Sequence, residues 1–202
     1  MKTFLVDLDK TLYKPQTGVF DNINKNIKKF MMQYLNMEEE FIEHLRSFYV
    51  KTYGSTLMGL IKNYNIDPYF FLEYAHNVDL SSIKPNNNLK EKLKKINGKK
   101  IIFTSAPKKH ALNVLERLEI LNEFNDIFDI IEADFIAKPN KAPYIKIIKK
   151  FPSLFYTMID DMEQNLITAK KFKFKTVLVN TKKSEYVDLC VECFEEIPVE
   201  FL

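Results

Sequence analysis

The sequence predicts an α/β fold, with a parallel sheet that carries helices on both faces and an all-helical insertion after the first strand. Short apolar runs alternate with helical patterns through the later part of the chain, which is typical of parallel strands joined by helices. Residues 15–82 contain helical patterns only. The length of 202 residues suits one core domain with a smaller insertion, since a domain usually has about 100 to 200 residues.

The composition limits the classes of partner. The chain is 46% hydrophobic and 28% charged, with a net charge of +3. It therefore has enough apolar surface for a core, and its charge is too balanced to indicate nucleic-acid or membrane binding. No apolar stretch approaches the roughly 20 residues that cross a bilayer, and no export signal is evident at the N-terminus. We expect a cytoplasmic protein, and the sequence does not indicate its oligomeric state.

The predicted strands lie at residues 3–6, 100–103, 155–159 and 176–179, with a weaker candidate at 127–131. Each run is apolar and is bounded by polar or helical sequence, as expected for a buried strand. A helix is expected ahead of the second strand, where Leu89, Leu93 and Ile96 share one face. Asn86 is expected to cap its start, and Gly98 is expected to occupy the C′ position after its end.

The insertion is predicted to cover residues 15–82, which leaves residues 1–14 and 83–202 for the core domain. Apolar residues recur at helical spacing on two faces within it. The first face has Ile23, Ile27, Phe30, Met31 and Tyr34, and the second has Phe41, Leu45, Phe48 and Tyr49.

Local signals mark the ends of helices inside the insertion. Asn36, with an acid three residues later, resembles a capping box that starts the second helix. Asp67-Pro68 provides a cap and a first-turn proline for another helix. Gly54 and Gly59 are two of only four glycines in the chain, and they indicate a tight turn or a close backbone approach.

Polar side chains follow the predicted strands at their carboxyl ends, where ligands of open parallel sheets bind. They are Asp7 and Asp9 after the first strand, Thr104 and Ser105 after the second, Lys138 with Pro139 at the expected start of a later helix, and Asp160 and Asp161 after residues 155–159. Carboxylates that repel one another favour a bound cation, whereas hydroxyls and a lysine suit an anion. The sequence thus predicts a site for Mg²⁺ and a phosphate.

These motifs, in this order and spacing, resemble those of the haloacid dehalogenase superfamily of phosphohydrolases over nearly the whole chain. More narrowly, the chain is similar to the pyrimidine 5′-nucleotidase subgroup. That similarity lies in residues 7–13, 17–20, 53–60 and 71–74 and in Lys138-Pro139. Ser105 departs from the asparagine usual in that subgroup. The resemblance implies a Rossmann-like core with an inserted helical cap of the C1 type that closes over the site.

The resemblance also implies roles for the site residues. Asp7 attacks phosphorus and forms an aspartyl-phosphate, and Asp9 protonates the leaving alkoxide and then activates water. The implied Mg²⁺ ligands are Asp7, the backbone carbonyl of Asp9, Asp161, and Asp160 directly or through water. Thr104, Ser105 and Lys138 hold the phosphate oxygens. Because a halide leaves without a proton, Asp9 argues against dehalogenation.

Residues of the cap are candidates for contacting the rest of the substrate. They are Tyr53, Ser55, Thr56, Tyr64 and Tyr74, although tyrosines at helical spacing more often pack in a core. His110, in the helix after Thr104, is expected to be solvated.

The expected function is that of a Mg²⁺-dependent 5′-nucleotidase that hydrolyses pyrimidine mononucleotides such as UMP or CMP, and its partner is thus a small phosphate monoester. One alternative is a phosphatase or phosphomutase acting on sugar phosphates or phosphoglycolate. Another is a non-catalytic nucleotide sensor. The cap sequence does not separate the enzymatic alternatives, and the intact Asp7, Asp9, Lys138 and Asp161 argue against the sensor.

Overall fold

The computed structural model describes residues 2–181 and 183–202. Over these ranges, six parallel strands form one sheet in the order β3-β2-β1-β4-β5-β6. The strands are β1 (Lys2–Val6), β2 (Lys99–Phe103), β3 (Asp126–Phe128), β4 (Phe155–Asp160), β5 (Lys175–Leu178) and β6 (Leu189–Cys190). The four strands predicted with most support are confirmed. The two-residue β6 was not predicted, because so short a pairing leaves no apolar run.

The weaker strand candidate at residues 127–131 is correct only in its first part, because β3 ends at Phe128. The carboxylate of Asp129 accepts hydrogen bonds from the backbone N–H groups of Ile131 and Glu132 at 3.0 and 2.9 Å. It also accepts one from Lys108 N–H, at the start of the helix that precedes β3, at 2.8 Å. Asp129 thereby turns the chain away from the sheet, as short acidic side chains often do.

Helices cover both faces of the sheet, as predicted. Five α-helices lie between β1 and β2 in the described chain. Four of them fall within residues 15–82: α1 (Val19–Leu35), α2 (Glu39–Tyr53), α3 (Thr56–Tyr64) and α4 (Pro68–Ala75). We call these four the helical insertion. The later helices are α5 (Asn87–Lys94), α6 (Lys108–Arg117), α7 (Lys141–Lys150) and α8 (Glu163–Lys171). Within the ranges described, none of these helices is both long and apolar enough to span a membrane.

Strand β1 shows how the core is divided. Phe4 and Val6 pack in one apolar cluster with α5 and α6, whereas Leu5 packs in a second cluster with α7 and α8. Successive side chains of a strand point to opposite faces, so this central strand is buried on both sides. Burial on both faces explains why the strands read as continuous apolar runs.

The helical insertion has an apolar cluster of its own, which includes Phe30, Met31, Ile42 and Tyr49 and also reaches Ile130 beyond the sheet. The face predicted for α2 is partly wrong. Tyr49 is buried, but Phe41 and Phe48 are 58% and 53% exposed. Ile42 is buried instead, because α2 turns its Ile42–Tyr49 side toward α3. Apolar residues occur on both sides of α2, so their spacing alone could not select the buried one.

Two of the predicted cap signals are wrong. Asn36 ends α1 in a left-handed conformation rather than starting α2, which begins after Glu38 without a side-chain cap. Gly98 is not a helix cap, since α5 ends at Lys94 and Lys95 is its C-cap residue. A Cβ atom on Gly98 would lie 2.8 Å from the carbonyl oxygen of Lys2. Gly98 is therefore required by the close approach of the chain to β1.

The other local signals are confirmed. Asp67 accepts a hydrogen bond from Tyr69 N–H at the start of α4, and Asn86 accepts one from Leu89 N–H at the start of α5. Gly54 has a φ of 86° and ends α2 in the left-handed region. Gly59 lies against the ring of Tyr49, where an added Cβ would come within 2.2 Å of a ring atom. The two glycines thus supply the predicted turn and close approach.

Candidate active site

Asp7 lies directly beyond β1 and is almost fully buried. Its backbone N–H continues the strand ladder by donating to Ile159 O at 2.9 Å. Its two carboxylate oxygens have different partners: Lys138 Nζ donates to Oδ1 at 2.7 Å, and Thr11 Oγ1 donates to Oδ2 at 2.9 Å. The strand end and these bonds fix the carboxylate in one orientation.

Asp9 is held by two side chains from different parts of the chain. Tyr13 Oη donates to Asp9 Oδ1 at 2.6 Å, and His110 Nε2 lies 2.8 Å from the same oxygen. Burial works against an ionised Asp9, but the charge and hydrogen bond of His110, together with Tyr13, hold the pKa of Asp9 below its ordinary value. An ionised carboxylate only accepts hydrogen bonds, so His110 donates from Nε2.

His110 differs from its prediction. It is 2% exposed, not solvated, and its ring lies 5.1 Å from that of His76 between ring centres. His76 in turn contacts Leu72 O through Nδ1 at 2.9 Å. Burial, followed by the neighbouring His110, lowers the pKa of His76 to about 4, so His76 is neutral near pH 7.

Lys138 is buried at the centre of the acidic residues. Its Nζ donates to Asp7 Oδ1, to Asp160 Oδ2 at 2.8 Å and to Phe103 O at 2.6 Å. Burial disfavours its charged form, but the carboxylates of Asp160 and Asp7 outweigh burial and hold the pKa of Lys138 above its ordinary value. The expected position at a helix start is wrong, because α7 begins at Lys141. Lys138 lies in the preceding loop, which places its side chain under the strand ends.

Asp160 and Asp161 point in different directions. Asp160 has no exposed surface, and besides Lys138 it accepts hydrogen bonds from Asn165 Nδ2 at 2.9 and 3.0 Å and from Met162 N–H at 2.8 Å. Asp161 lines the cavity described below and pairs with Lys10 at 2.7 Å. Asp160 thus holds Lys138 and Asn165 in position, whereas Asp161 can contact a ligand in the cavity.

The carboxylate oxygens of Asp7, Asp160 and Asp161 can lie within 4.8 Å of one another. Burial, opposed by Lys138 and reinforced by Asp160 and Asp161, raises the pKa of Asp7 to about 8. A cluster of repelling carboxylates at this spacing is the all-oxygen donor set that Mg²⁺ prefers, and a bound cation would favour ionised Asp7. The residues present therefore fit a magnesium ion.

Thr104 and Ser105 follow β2 at the same edge. Thr104 Oγ1 accepts a hydrogen bond from Ala106 N–H at 3.0 Å, and Ser105 Oγ accepts one from Lys138 N–H at 3.3 Å. Because each hydroxyl accepts from the backbone, its own proton is available for an anion. The polar residues predicted at the strand ends are therefore brought together.

A cavity of about 310 Å³ lies between this edge of the sheet and the helical insertion. Of the described residues, Asp7, Asp9, Thr104, Ser105, Lys138 and Asp161 line it from the sheet, and Gly54, Ser55 and Thr56 line it from the insertion. Its volume falls at the lower end of the range of about 300 to 1,000 Å³ common for small-molecule sites.

The tyrosine candidates of the cap lie elsewhere. Tyr53 packs on Tyr49 and Phe48 outside the described lining of the cavity. Tyr64 is exposed, and Tyr74 Oη donates to Gln33 Oε1 at 2.8 Å. Ser55 lines the cavity but its hydroxyl accepts from Met58 N–H as the cap of α3. The structure thus brings Ser55 and Thr56, but not Tyr53, to the cavity.

Sequence reasoning missed several residues of the site. Tyr13 and Lys10 lie within the first motif, where only the two acids were assigned roles. His76 and Arg46, both in the helical insertion, also line the cavity. The spacing of Tyr13, four residues after Asp9, is the one signal that could have been used, since the insertion residues are brought in by tertiary packing alone.

Comparisons with known proteins agree with this arrangement. The family model of haloacid dehalogenase-like hydrolases matches residues 1–173. Phosphate metabolism protein 8 of Saccharomyces cerevisiae is 30% identical over 190 residues, which cover 83% of this chain and 58% of that protein. The chain therefore spans less than two thirds of the length of this curated relative.

Solved structures share the fold at low identity. A HAD phosphatase from Thermococcus onnurineus is 18% identical with a TM-score of 0.57, covering 96% of this chain and 94% of its own. An L-2-haloacid dehalogenase from Xanthobacter autotrophicus is 13% identical with a TM-score of 0.52, covering 92% of this chain and 79% of its own. At these identities the fold is common to both enzymes and does not distinguish their reactions.

Proposed function

Because the chain belongs to the haloacid dehalogenase-like hydrolase family, we propose that it is a Mg²⁺-dependent phosphatase that hydrolyses phosphate monoesters through an aspartyl-phosphate on Asp7. The relative from Saccharomyces cerevisiae, a phosphate metabolism protein by name, supports a phosphate substrate. The fold alone does not distinguish a phosphatase from a dehalogenase, since its structural neighbours include both.

The position of Asp9 favours phosphate ester hydrolysis over dehalogenation. Asp9 lines the cavity together with Asp7, and Tyr13 and His110 fix its Oδ1. Among the described side chains, both of these hydrogen bonds use Oδ1, which leaves Oδ2 for a substrate. A positioned second carboxyl group serves an alkoxide leaving group, which needs a proton, and is of no use to a departing halide.

In the proposed reaction, the substrate binds as its monoanion and passes its proton to Oδ2 of the ionised Asp9 carboxylate. An oxygen of Asp7 then attacks phosphorus as the bond to the leaving oxygen breaks, and Asp9 gives that oxygen the proton. Asp9 then takes a proton from water as the water oxygen attacks phosphorus, which releases phosphate and restores Asp7. Thr104 and Ser105 bind the non-bridging oxygens through their hydroxyls. Lys138, whose three N–H groups are directed at Asp7, Asp160 and Phe103 O, stabilises the charge of these oxygens as a neighbouring cation.

Asp7, Asp161 and the backbone carbonyl of Asp9 would hold Mg²⁺, with Asp160 binding directly or through water. The ion supplies positive charge that offsets repulsion between the carboxylate of Asp7 and the phosphate. Asp160, through its hydrogen bonds to Lys138 and Asn165, also keeps the lysine directed at Asp7.

For the substrate, we propose a pyrimidine mononucleotide such as UMP or CMP. The resemblance of the motifs to pyrimidine 5′-nucleotidases supports this choice. The small cavity, with apolar walls contributed by the helical insertion, also suits a single-ring leaving group.

The test is a comparison of kcat/KM for UMP, CMP, AMP, glucose 6-phosphate and phosphoglycolate in Mg²⁺, with chelated metal as a control. We expect UMP and CMP to exceed the sugar phosphates by about 10-fold or more and chelation to abolish turnover. Asp9→Asn should lower kcat by about 10²- to 10⁴-fold. A preference for sugar phosphates would contradict the nucleotidase assignment, and binding of UMP without phosphate release would indicate a sensor.

A further inference from the structure

Arg46 is one of two arginines in the chain, and it lines the cavity from α2. Its Nη2 donates to Asn24 Oδ1 at 2.7 Å, and its Nη1 donates to Glu43 Oε1 at 3.2 Å. Its Nε is buried and has no hydrogen-bond partner among the described atoms. A guanidinium has five N–H donors, and two of these have acceptors here, so Arg46 retains N–H groups for a ligand in the cavity.

The surroundings of Arg46 define what that ligand can be. The helical insertion otherwise contributes mainly apolar side chains to the cavity: Ile23, Ile27, Val50, Leu57, Phe71 and Leu72. His76 is neutral near pH 7 because of its lowered pKa. Of the described insertion residues that line the cavity, Arg46 is therefore the one permanent cation, set in an apolar wall.

The hydrogen bonds of Arg46 favour a neutral acceptor over a second anion. Arginine usually grips a phosphate or carboxylate with two N–H groups of its fork. Here one N–H of each Nη atom already has an acceptor, and the carboxylate of Glu43, which also pairs with Lys28 at 2.7 Å, balances part of the charge of Arg46. A second anion would be repelled by Glu43, whereas the remaining N–H groups can donate to a neutral carbonyl oxygen. The apolar walls around it suit the faces of a planar ring.

We propose that Arg46, positioned by Asn24, forms a subsite for a carbonyl oxygen on the planar leaving group of the substrate, such as a ring carbonyl of a pyrimidine. The inference rests on the proposed phosphatase function and deepens it. Arg46 and Asn24 lie on the helical insertion, whereas Asp7 and Lys138 lie at the strand ends. The phosphate and the carbonyl are thus recognised by different parts of the fold.

The test compares two substrates that differ in the carbonyl, UMP and phenyl phosphate, in Arg46→Ala, Arg46→Lys and the wild type. Both variants remove the Nε donor. We expect kcat/KM for UMP to fall about 10- to 100-fold, as for loss of a hydrogen bond to a charged group, with phenyl phosphate little changed. Arg117→Ala is the matched control, since Arg117 donates to the carbonyls of Ser81 and Ile83, and it should leave the ratio of the two substrates unchanged.

Several outcomes would overturn the subsite. An equal loss for both substrates in Arg46→Lys would mean that Arg46 only supports the fold of the insertion. Unchanged UMP hydrolysis in the Arg46 variants would mean that Arg46 does not contact the leaving group. A wild-type preference for phenyl phosphate over UMP would mean the same. If the wild type hydrolysed neither compound, the proposed function itself would fail and the subsite with it. If the wild type hydrolysed both compounds and the Arg46 variants left UMP hydrolysis unchanged, the subsite alone would fail.

Discussion

Tyr13 and His110, which lie far apart in the sequence, both contact Oδ1 of Asp9. Tyr13 is four residues away, whereas His110 is brought in by α6 and is 101 positions distant in sequence. The acids at the strand ends could be predicted because parallel strands place their carboxyl ends at one edge. The partner at position 110 could not, since a histidine in a helix gives no sign of which element it faces.

His110 should matter to catalysis through Asp9. We expect His110→Ala to lower kcat for p-nitrophenyl phosphate by about 10-fold or more, because loss of a charge-assisted hydrogen bond frees the carboxylate to rotate. KM should change little, since His110 does not line the cavity in the described structure. His110→Gln, which can present an N–H near the same place, should recover part of kcat.

Steady-state kinetics, with thermal unfolding of each variant as a control for folding, would check this expectation. An unchanged kcat in a folded His110→Ala protein would show that Tyr13 alone suffices to orient Asp9. A parallel rise in KM would instead indicate a role in substrate binding.

Among the helices, α3 packs against α2 through a contact between Gly59 and the ring of Tyr49. Gly59 lies inside this helix, where glycine normally costs about 1 kcal/mol relative to alanine. The ring of Tyr49 on α2 occupies the space that a Cβ would need, with a ring atom at 2.2 Å from the ideal Cβ position. The glycine therefore permits α2 and α3 to pack closely, and this packing places Ser55 and Thr56 at the cavity.

The contact reverses the usual effect of alanine in a helix. We expect Gly59→Ala to lower the free energy of unfolding by about 1 to 3 kcal/mol, because overpacking outweighs the gain in helix propensity. Lys62→Ala, at an exposed position of the same helix, should change it by less than about 0.5 kcal/mol. Urea denaturation of the two variants checks the difference, and a more stable Gly59→Ala protein would contradict the proposed close packing.

Element boundaries were predicted where a local cause sets them. Asp67 and Asn86 cap their helices as expected, because a side-chain acceptor next to free N–H groups acts within a few residues. The predictions for Gly98 and for the buried face of α2 failed because each depends on which neighbouring element packs there, and that information is not local to the sequence. Asn36 was assigned to the wrong helix end, since asparagine is favoured both as an N-cap and in the left-handed conformation that ends a helix.

In the molecule as a whole, the residues of the site come from the ends of three parallel strands and from the loop before α7. The helical insertion forms the other side of the cavity. The order of the strands places β1 between β2 and β4, so Asp7 lies between Thr104 on one side and Asp160 on the other. This arrangement follows from α/β alternation and could be predicted. The shape of the cavity could not, since it depends on how the helical insertion packs on the sheet.

The proposed mechanism requires that Asp7 carries the phosphoryl group during turnover. The experiment is to acid-quench the enzyme while it hydrolyses p-nitrophenyl phosphate in Mg²⁺ and to map the modified peptide by mass spectrometry. We expect one phosphoryl group on the peptide that contains Asp7, and no label and no turnover in a folded Asp7→Asn protein. Label on another residue, or turnover retained by Asp7→Asn, would contradict the account.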